Sequence, residues 1–235
     1  MSETTAVLTE NDIYERVVAP ILDHRLPPGT KLTEEKLASA FGVSRTRIRP
    51  VLVRLANEQV VTLTPNRGAT VTQPTEKEAR EVFEVRRMIE STLVECFIQR
   101  ATEEDVSMLA RCISDEESAR AAGDTRRAVR MSGEFHLHIA RIADHQTLGR
   151  ILRELVSRTS LILMAYGEPA GSARSDASAC SCRDHRALLG AIRLRDPRAA
   201  TRLMQEHLTH IESQLNFTVP EEGSPDLLTL FGSAS

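Results

Sequence analysis

Aromatic side chains are scarce: six Phe, two Tyr and no Trp in 235 residues. Sheets draw on aromatic and β-branched residues, whereas Ala, Leu, Arg and Glu dominate here and favour helix. Charge of one sign is lacking too. The formal net charge is −3, so any nucleic-acid role must come from a local basic patch. No apolar run reaches the roughly 18 residues of a transmembrane helix, and no membrane partner is expected. The opening MSETTAVLTE lacks the basic and apolar regions of a signal peptide. The four cysteines, Cys96, Cys112, Cys180 and Cys182, follow no zinc spacing, and the last two stand too close for an easy disulfide. The expected setting is reduced and cytoplasmic.

What is present divides near residue 74. Residues 1–73 read as three short helices and two β-like runs, 74–219 as long amphipathic helices, and 220–235 as a Pro/Gly/Ser-rich flexible tail. The fold class is mainly α. The first helix is expected over 11–24, with Ile13, Val17 and Ile21 on one face. Thr33 caps a second helix over 34–41, ended by Gly42. Ser44 caps a third over 45–58, striped by Ile48, Val51, Leu52 and Leu55. Two β-like runs, 60–63 and 69–71, flank the turn-rich Thr64-Pro65-Asn66-Arg67-Gly68. Three helices and a two-stranded wing make a winged helix-turn-helix, with the Gly-containing turn such a crossing needs.

The third helix carries Arg45, Arg47, Arg49 and Arg54, with no acid before Glu58. Its N-terminal residues enter the major groove in this architecture. Ser44 and Thr46 suit phosphate, and arginine forks suit guanine. Arg67 at the wing tip is placed for the minor groove or a phosphate, with Asn66 and Gly68 allowing close approach.

In the second half, helices are expected at 75–100, 102–122, 125–144, 146–166, 177–195 and 198–217, an all-α antiparallel bundle. The first has a seam of Ala79, Phe83, Arg86, Glu90, Leu93 and Phe97, whose alternating steps of 4 and 3 keep one face. Arg86 and Glu90 thus lie on the apolar line, either as a rim ion pair or as an inward arginine awaiting a ligand carboxylate. His136, His185 and His207 also face inward by helical spacing, while His138 and His210 lie on flanks. His185 and His207 lie 11 residues either side of Asp196-Pro197, a helix stop and restart. At about 1.5 Å per residue the two imidazoles share one level of a hairpin, which suggests a metal or anion site. The competing readings are unrelated buried histidines and a three-histidine metalloenzyme. No Glu-x-x-His occurs, so a ferritin-like di-metal site lacks its ligands, and no inward acid beside His136 offers an evident general base. An enzyme is not expected.

Leu26-Pro27-Pro28-Gly29-Thr30-Lys31-Leu32, Leu37-Ala38, Phe41-Gly42-Val43-Ser44-Arg45-Thr46 and Asn66-Arg67-Gly68-Ala69 resemble the GntR family of bacterial repressors over about residues 10–73. Arg47 stands where the family has Pro, and Pro50 where it has Glu or Asp. Residues 75–215 resemble the FCD ligand-binding domain of the FadR-type branch through Arg86, Glu90, Phe135-His136, Asp184-His185, Asp196 and Glu206-His207-Leu208. The resemblance implies a homodimer on a pseudo-palindromic operator, a small carboxylate effector at Arg86, Glu90 and Ser132, and a divalent metal (Zn or Ni) on His136, His185 and His207. It departs at Ser132, where an Asp ligand is usual. Metal held by three His with water or effector, weak metal, a bare anion, and a repressor with a decayed pocket therefore all stay open.

Overall fold

A computed structural model describes residues 8–22, 25–64, 68–167 and 175–218, with only the backbone for Leu22 and 175–180. The chain divides into two compact units between Gln73 and Pro74. The expected roles of Asn66 and Arg67 and the expected 220–235 tail fall outside the described residues.

In the first unit, α1 (Glu10–Leu22), α2 (Glu34–Phe41) and α3 (Arg45–Asn57) surround a core of Ile13, Ile21, Leu37, Ile48, Leu52 and Leu55. Thr33 caps α2 by accepting from the Lys36 N–H, and Gly42, in the left-handed region, ends it. α3 runs unbroken through Pro50. The sheet has three strands, not the two expected: β1 (Lys31–Leu32), β2 (Val61–Thr64) and β3 (Gly68–Val71) in the order β1-β3-β2, all antiparallel. Two residues are too few to show alternation in sequence. β1 forms because Gly29 N–H donates to the Val71 carbonyl and Val71 N–H to the Thr30 carbonyl. Gly68 has φ +85°, and a Cβ there would stand 2.8 Å from the Leu32 carbonyl oxygen. Only glycine lets the wing strand close on β1.

The second unit comprises α4 (Glu76–Arg100), α5 (Glu103–Ala121), α6 (Thr125–Ile142), α7 (Gln146–Tyr166), α8 (Ser175–Arg193) and α9 (Pro197–Ser213). Capping boxes at Thr75/Glu78 and Thr102/Asp105 start α4 and α5. Asp196 caps α9 with Pro197 in its first turn. α4 lies centrally against α6, α7 and α9, while α8 packs on α5 and α9. Phe83, Leu93, Phe97, Phe135 and Leu188 fill the core. α9 ends about four residues earlier than its apolar period suggests. Leu215 and Phe217 pack back outside the helix, the Asn216 N–H donates to the Tyr166 carbonyl, and the Phe217 ring lies tilted, its centroid 4.8 Å from that of Tyr166. Among the described residues no helix is long and apolar enough to cross a membrane.

Candidate metal centre and nucleic-acid interface

α6, α8 and α9 each bring one histidine to the bundle centre, beside the Arg86–Glu90 pair of α4. His136, His185 and His207 are all at most 2% exposed, and one nitrogen from each lies within 4.8 Å of the others. The ring centroids stand 5.3, 5.4 and 4.3 Å apart. The equal-height argument for His185 and His207 therefore agrees with the geometry, and α6 brings His136 to the same level.

A different carboxylate backs each ring. His136 Nδ1 lies 2.5 Å from Glu90 Oε2, His185 Nδ1 2.9 Å from Glu116 Oε2, and His207 Nδ1 3.4 Å from Asp184 Oδ2. An ionised carboxylate only accepts, so Nδ1 carries the proton in each ring and Nε2 presents its lone pair. The Nε2 atoms of His136 and His185 are 3.4 Å apart, and His207 Nε2 is buried without a hydrogen-bond partner among the described residues. Lone pairs facing one another repel unless a cation lies between them. Burial pushes all three imidazole pKa values down, that of His207 to about 4, which keeps the rings neutral and able to ligate. Burial alone would push the Glu90 and Glu116 carboxyls up. Arg86 beside Glu90, and His185 with Arg120 beside Glu116, outweigh it and hold both at about 2. Three neutral imidazoles, each with a carboxylate behind it, are the donor set of a histidine metal site with its supporting shell. The residues present fit a divalent transition metal.

Arg86, 2% exposed, lies beside this cluster. Its Nε donates to Glu90 Oε1 at 2.6 Å and its Nη1 to Thr159 Oγ1 at 3.2 Å, while Nη2 is buried with no partner among the described residues. Glu90 thus bridges Arg86 and His136, one oxygen to each. The pair lies inward, one of the two positions that the seam leaves open, and Glu90 overturns the expectation that no inward acid stands beside His136, because it comes from α4 and not from the histidine's own helix. Ser132 is half-buried on α6, one turn before His136. Glu116 and the partner role of Asp184 were missed. Glu116 had a legible signal, since it continues the apolar line Val106, Leu109, Ile113 of α5 at the next step of three. His138, expected on a flank, is buried, its Nε2 3.1 Å from the Asp105 carbonyl oxygen and its ring edge-on to Phe97. His210 pairs with Asp184 at 3.0 Å.

In the first unit Ser44 occupies the N-cap position of α3, but its side chain makes no cap bond; its hydroxyl lies 2.7 Å from that of Thr46. The first N–H groups of α3 are therefore not engaged by that side chain, as anion binding at a helix N-terminus requires. Arg45 and Arg49, four residues apart, share an exposed face. Arg47 lies about 200° round from Arg45 and donates to the Leu8 carbonyl, so it does not share that face. Arg54 stacks 3.4 Å over the Tyr14 ring and donates to Asn11. Gly68 serves the close approach to β1 described above.

Comparisons with known proteins agree with this architecture. A profile of the bacterial regulatory proteins of the gntR family matches residues 9–71, and a profile of the FCD domain matches residues 81–210. The uncharacterised HTH-type transcriptional regulator YdhC of Bacillus subtilis is 23% identical over 210 residues, 88% of this chain and 91% of its own. The HTH-type transcriptional repressor RspR of Escherichia coli is 23% identical over 206 residues, 86% of this chain and 87% of its own. Among solved structures, E. coli McbR/YncC matches with a TM-score of 0.75 at 19% identity, covering 85% of this chain and 93% of that one. A GntR regulator from Rhodococcus reaches 0.76 at 20% identity, covering 87% and 96%. At these identities the structural likeness shows a shared fold.

Proposed function

This chain belongs to the GntR family of bacterial regulatory proteins and carries an FCD domain, and from that premise we propose that it is a repressor controlled by a small carboxylate bound at a metal-bearing site. Regulation of transcription through the winged helix-turn-helix is the family's activity. Repression follows relatives named as repressors, among them RspR and a gluconate operon transcriptional repressor of Bacillus subtilis, 28% identical over 65% of this chain and 60% of its own.

The observation that carries the metal reading is the convergence of three buried imidazoles, each with its outer nitrogen bound to its own carboxylate. His136, His185 and His207 would hold Zn²⁺ or Ni²⁺, with Ser132 leaving the protein one ligand fewer than an Asp there would give. When bound, the ion supplies a Lewis-acidic position that accepts an oxygen donor.

Charge balance supports a carboxylate. Glu90, Glu116 and Asp184 against Arg86 and Arg120 leave one negative charge around the neutral rings. A divalent ion turns that into one positive charge, and a singly charged carboxylate restores neutrality. Buried charge is tolerated when it is paired, and Arg86 Nη2 is the donor without a partner. The ligand would alter the arrangement of the two DNA-binding units of a homodimer on a pseudo-palindromic operator, so that the half-site spacing no longer matches.

Elemental analysis with native mass spectrometry on untagged protein tests the site. About one transition metal per subunit is expected, lost in His185→Ala; a protein that takes up neither Zn²⁺ nor Ni²⁺ refutes it. For the DNA head, Arg45→Ala with Arg49→Ala should abolish the gel shift of a genomic fragment selected by the wild-type protein. Unchanged affinity at fixed salt would reject α3 as the reader.

A further inference from the structure

The two outward arginines of α3 are already engaged within their own unit. Arg49 Nε and Nη2 donate to the two oxygens of Glu34, at 2.9 and 3.2 Å. Arg45 Nη2 lies 3.3 Å from Glu35 Oε1. Glu34 and Glu35 are the first two residues of α2, at the end of the helix dipole that favours negative charge. The two pairs differ. Glu35 and Arg45 share one contact and both are well exposed, whereas Glu34 is 24% exposed against 72% for Arg49. The acid is the more buried member of the Glu34 pair and the arginine the more exposed one.

The edge used matters. A guanidinium offers five N–H donors in a fixed fork. Glu34 takes the side edge, Nε and Nη2, and leaves the end edge, Nη1 with the second proton of Nη2. Two parallel donors on that edge match O6 and N7 of guanine. Phosphate is held largely by net charge and salt-dependent counterion release, which a carboxylate on the same guanidinium opposes.

We infer that Glu34 is a specificity-determining residue, which fixes the Arg49 fork for end-on contact with a base and lowers its attraction to phosphate. Glu34 positions a reader and touches no DNA itself. The inference rests on the reading that α3 enters the major groove with Arg49 outward. With Arg49 72% exposed the pair contributes little to stability, and glutamine has the shape of glutamate, so Glu34→Gln leaves the fold intact.

The experiment measures binding of full-length wild type, Glu34→Gln, Arg49→Ala and Glu10→Gln to a selected operator fragment and to a random duplex of equal length, across a salt series. Glu10 is an exposed acid on α1 and controls for loss of one negative charge. In Glu34→Gln the random duplex should bind tighter, with a salt slope steeper by about one. The operator-to-random ratio should fall about tenfold, within the range set by one bidentate base contact. Single-base operator variants should show relaxed preference at the one position that Arg49→Ala also relaxes. Two results overturn the inference alone: Glu10→Gln lowering the ratio as much as Glu34→Gln, or Glu34→Gln keeping the wild-type ratio and slope while Arg49→Ala weakens operator binding. If Arg49→Ala leaves operator affinity unchanged, the reading of α3 fails first and the inference with it.

Discussion

At the scale of single residues, the bundle centre is governed by where carboxylates sit. Glu90 neutralises Arg86 and orients His136, and both members of the ion pair are nearly sealed from water. Removing it strands a buried guanidinium, so Glu90→Ala should cost about 3–5 kcal/mol in urea unfolding. Glu90→Ala with Arg86→Met should recover much of that, and a double mutant no more stable than Glu90→Ala would show that the pair is not the cause. On the proposed site, Glu116 would act on a bound metal through His185. Glu116→Gln should weaken Zn²⁺ binding about 10- to 100-fold, read by competition with a chromophoric chelator; full wild-type affinity would make Glu116 a plain core acid. The three histidines were legible because an imidazole on an apolar stripe is conspicuous and the Asp196-Pro197 break fixes the level of two of them. Their carboxylate partners were less legible. Which acid meets which ring depends on how α5 and α8 are placed, a tertiary relation that helical spacing within one element does not contain.

At the scale of elements, caps and turns were legible to within a residue or two, because their chemistry is local. Thr33 and Asp196, expected as caps, both accept at their helix starts, whereas Ser44, expected as one too, makes no cap bond. Where two packing arrangements satisfy the same apolar pattern, sequence periodicity misjudged the length of α9, and β1 is too short to have a period at all. Gly68 ties these levels together, since its missing side chain permits β1 to pair. Gly68→Ala should destabilise the first unit by about 1–3 kcal/mol and weaken DNA binding with it, checked by thermal melting beside a gel shift. The capping box of α5 gives a pH signature. Hydrogen bonds from the Thr102 side chain and backbone hold the Asp105 carboxyl below its usual range. A depressed carboxyl adds stability that is present above its unfolded value, about pH 4, and lost as pH falls through the lower folded value. Thr102→Ala should therefore cost about 1 kcal/mol at neutral pH and flatten the loss of stability on acidification. An unchanged slope in acid titrations followed by circular dichroism would remove Asp105 from that account.

At the scale of the whole chain, the apolar cluster running from Ala79 to Phe217 includes no residue of the first unit, which has its own buried set of Ile48, Leu52 and Leu55. All three histidines, their carboxylates and Arg86 belong to the second unit. Two cores of this kind predict two unfolding steps, only one of which a metal should move. A ligand bound solely by the folded state stabilises it by about 4 kcal/mol at a thousand times its dissociation constant, worth roughly 10 °C for a unit of this size. Calorimetry of the full chain with Zn²⁺ and with chelator should show that rise in the bundle transition alone. Regulation asks for something more. If occupancy of the bundle site changes operator affinity by some factor, operator binding must change affinity at that site by the same factor. Zn²⁺ titrated into free protein and into the protein–operator complex should therefore give affinities whose ratio equals the change in operator affinity that Zn²⁺ produces. Equal Zn²⁺ affinities in both states would mean that the ion is purely structural, and that control of the DNA head would have to come from an anion bound beside Arg86.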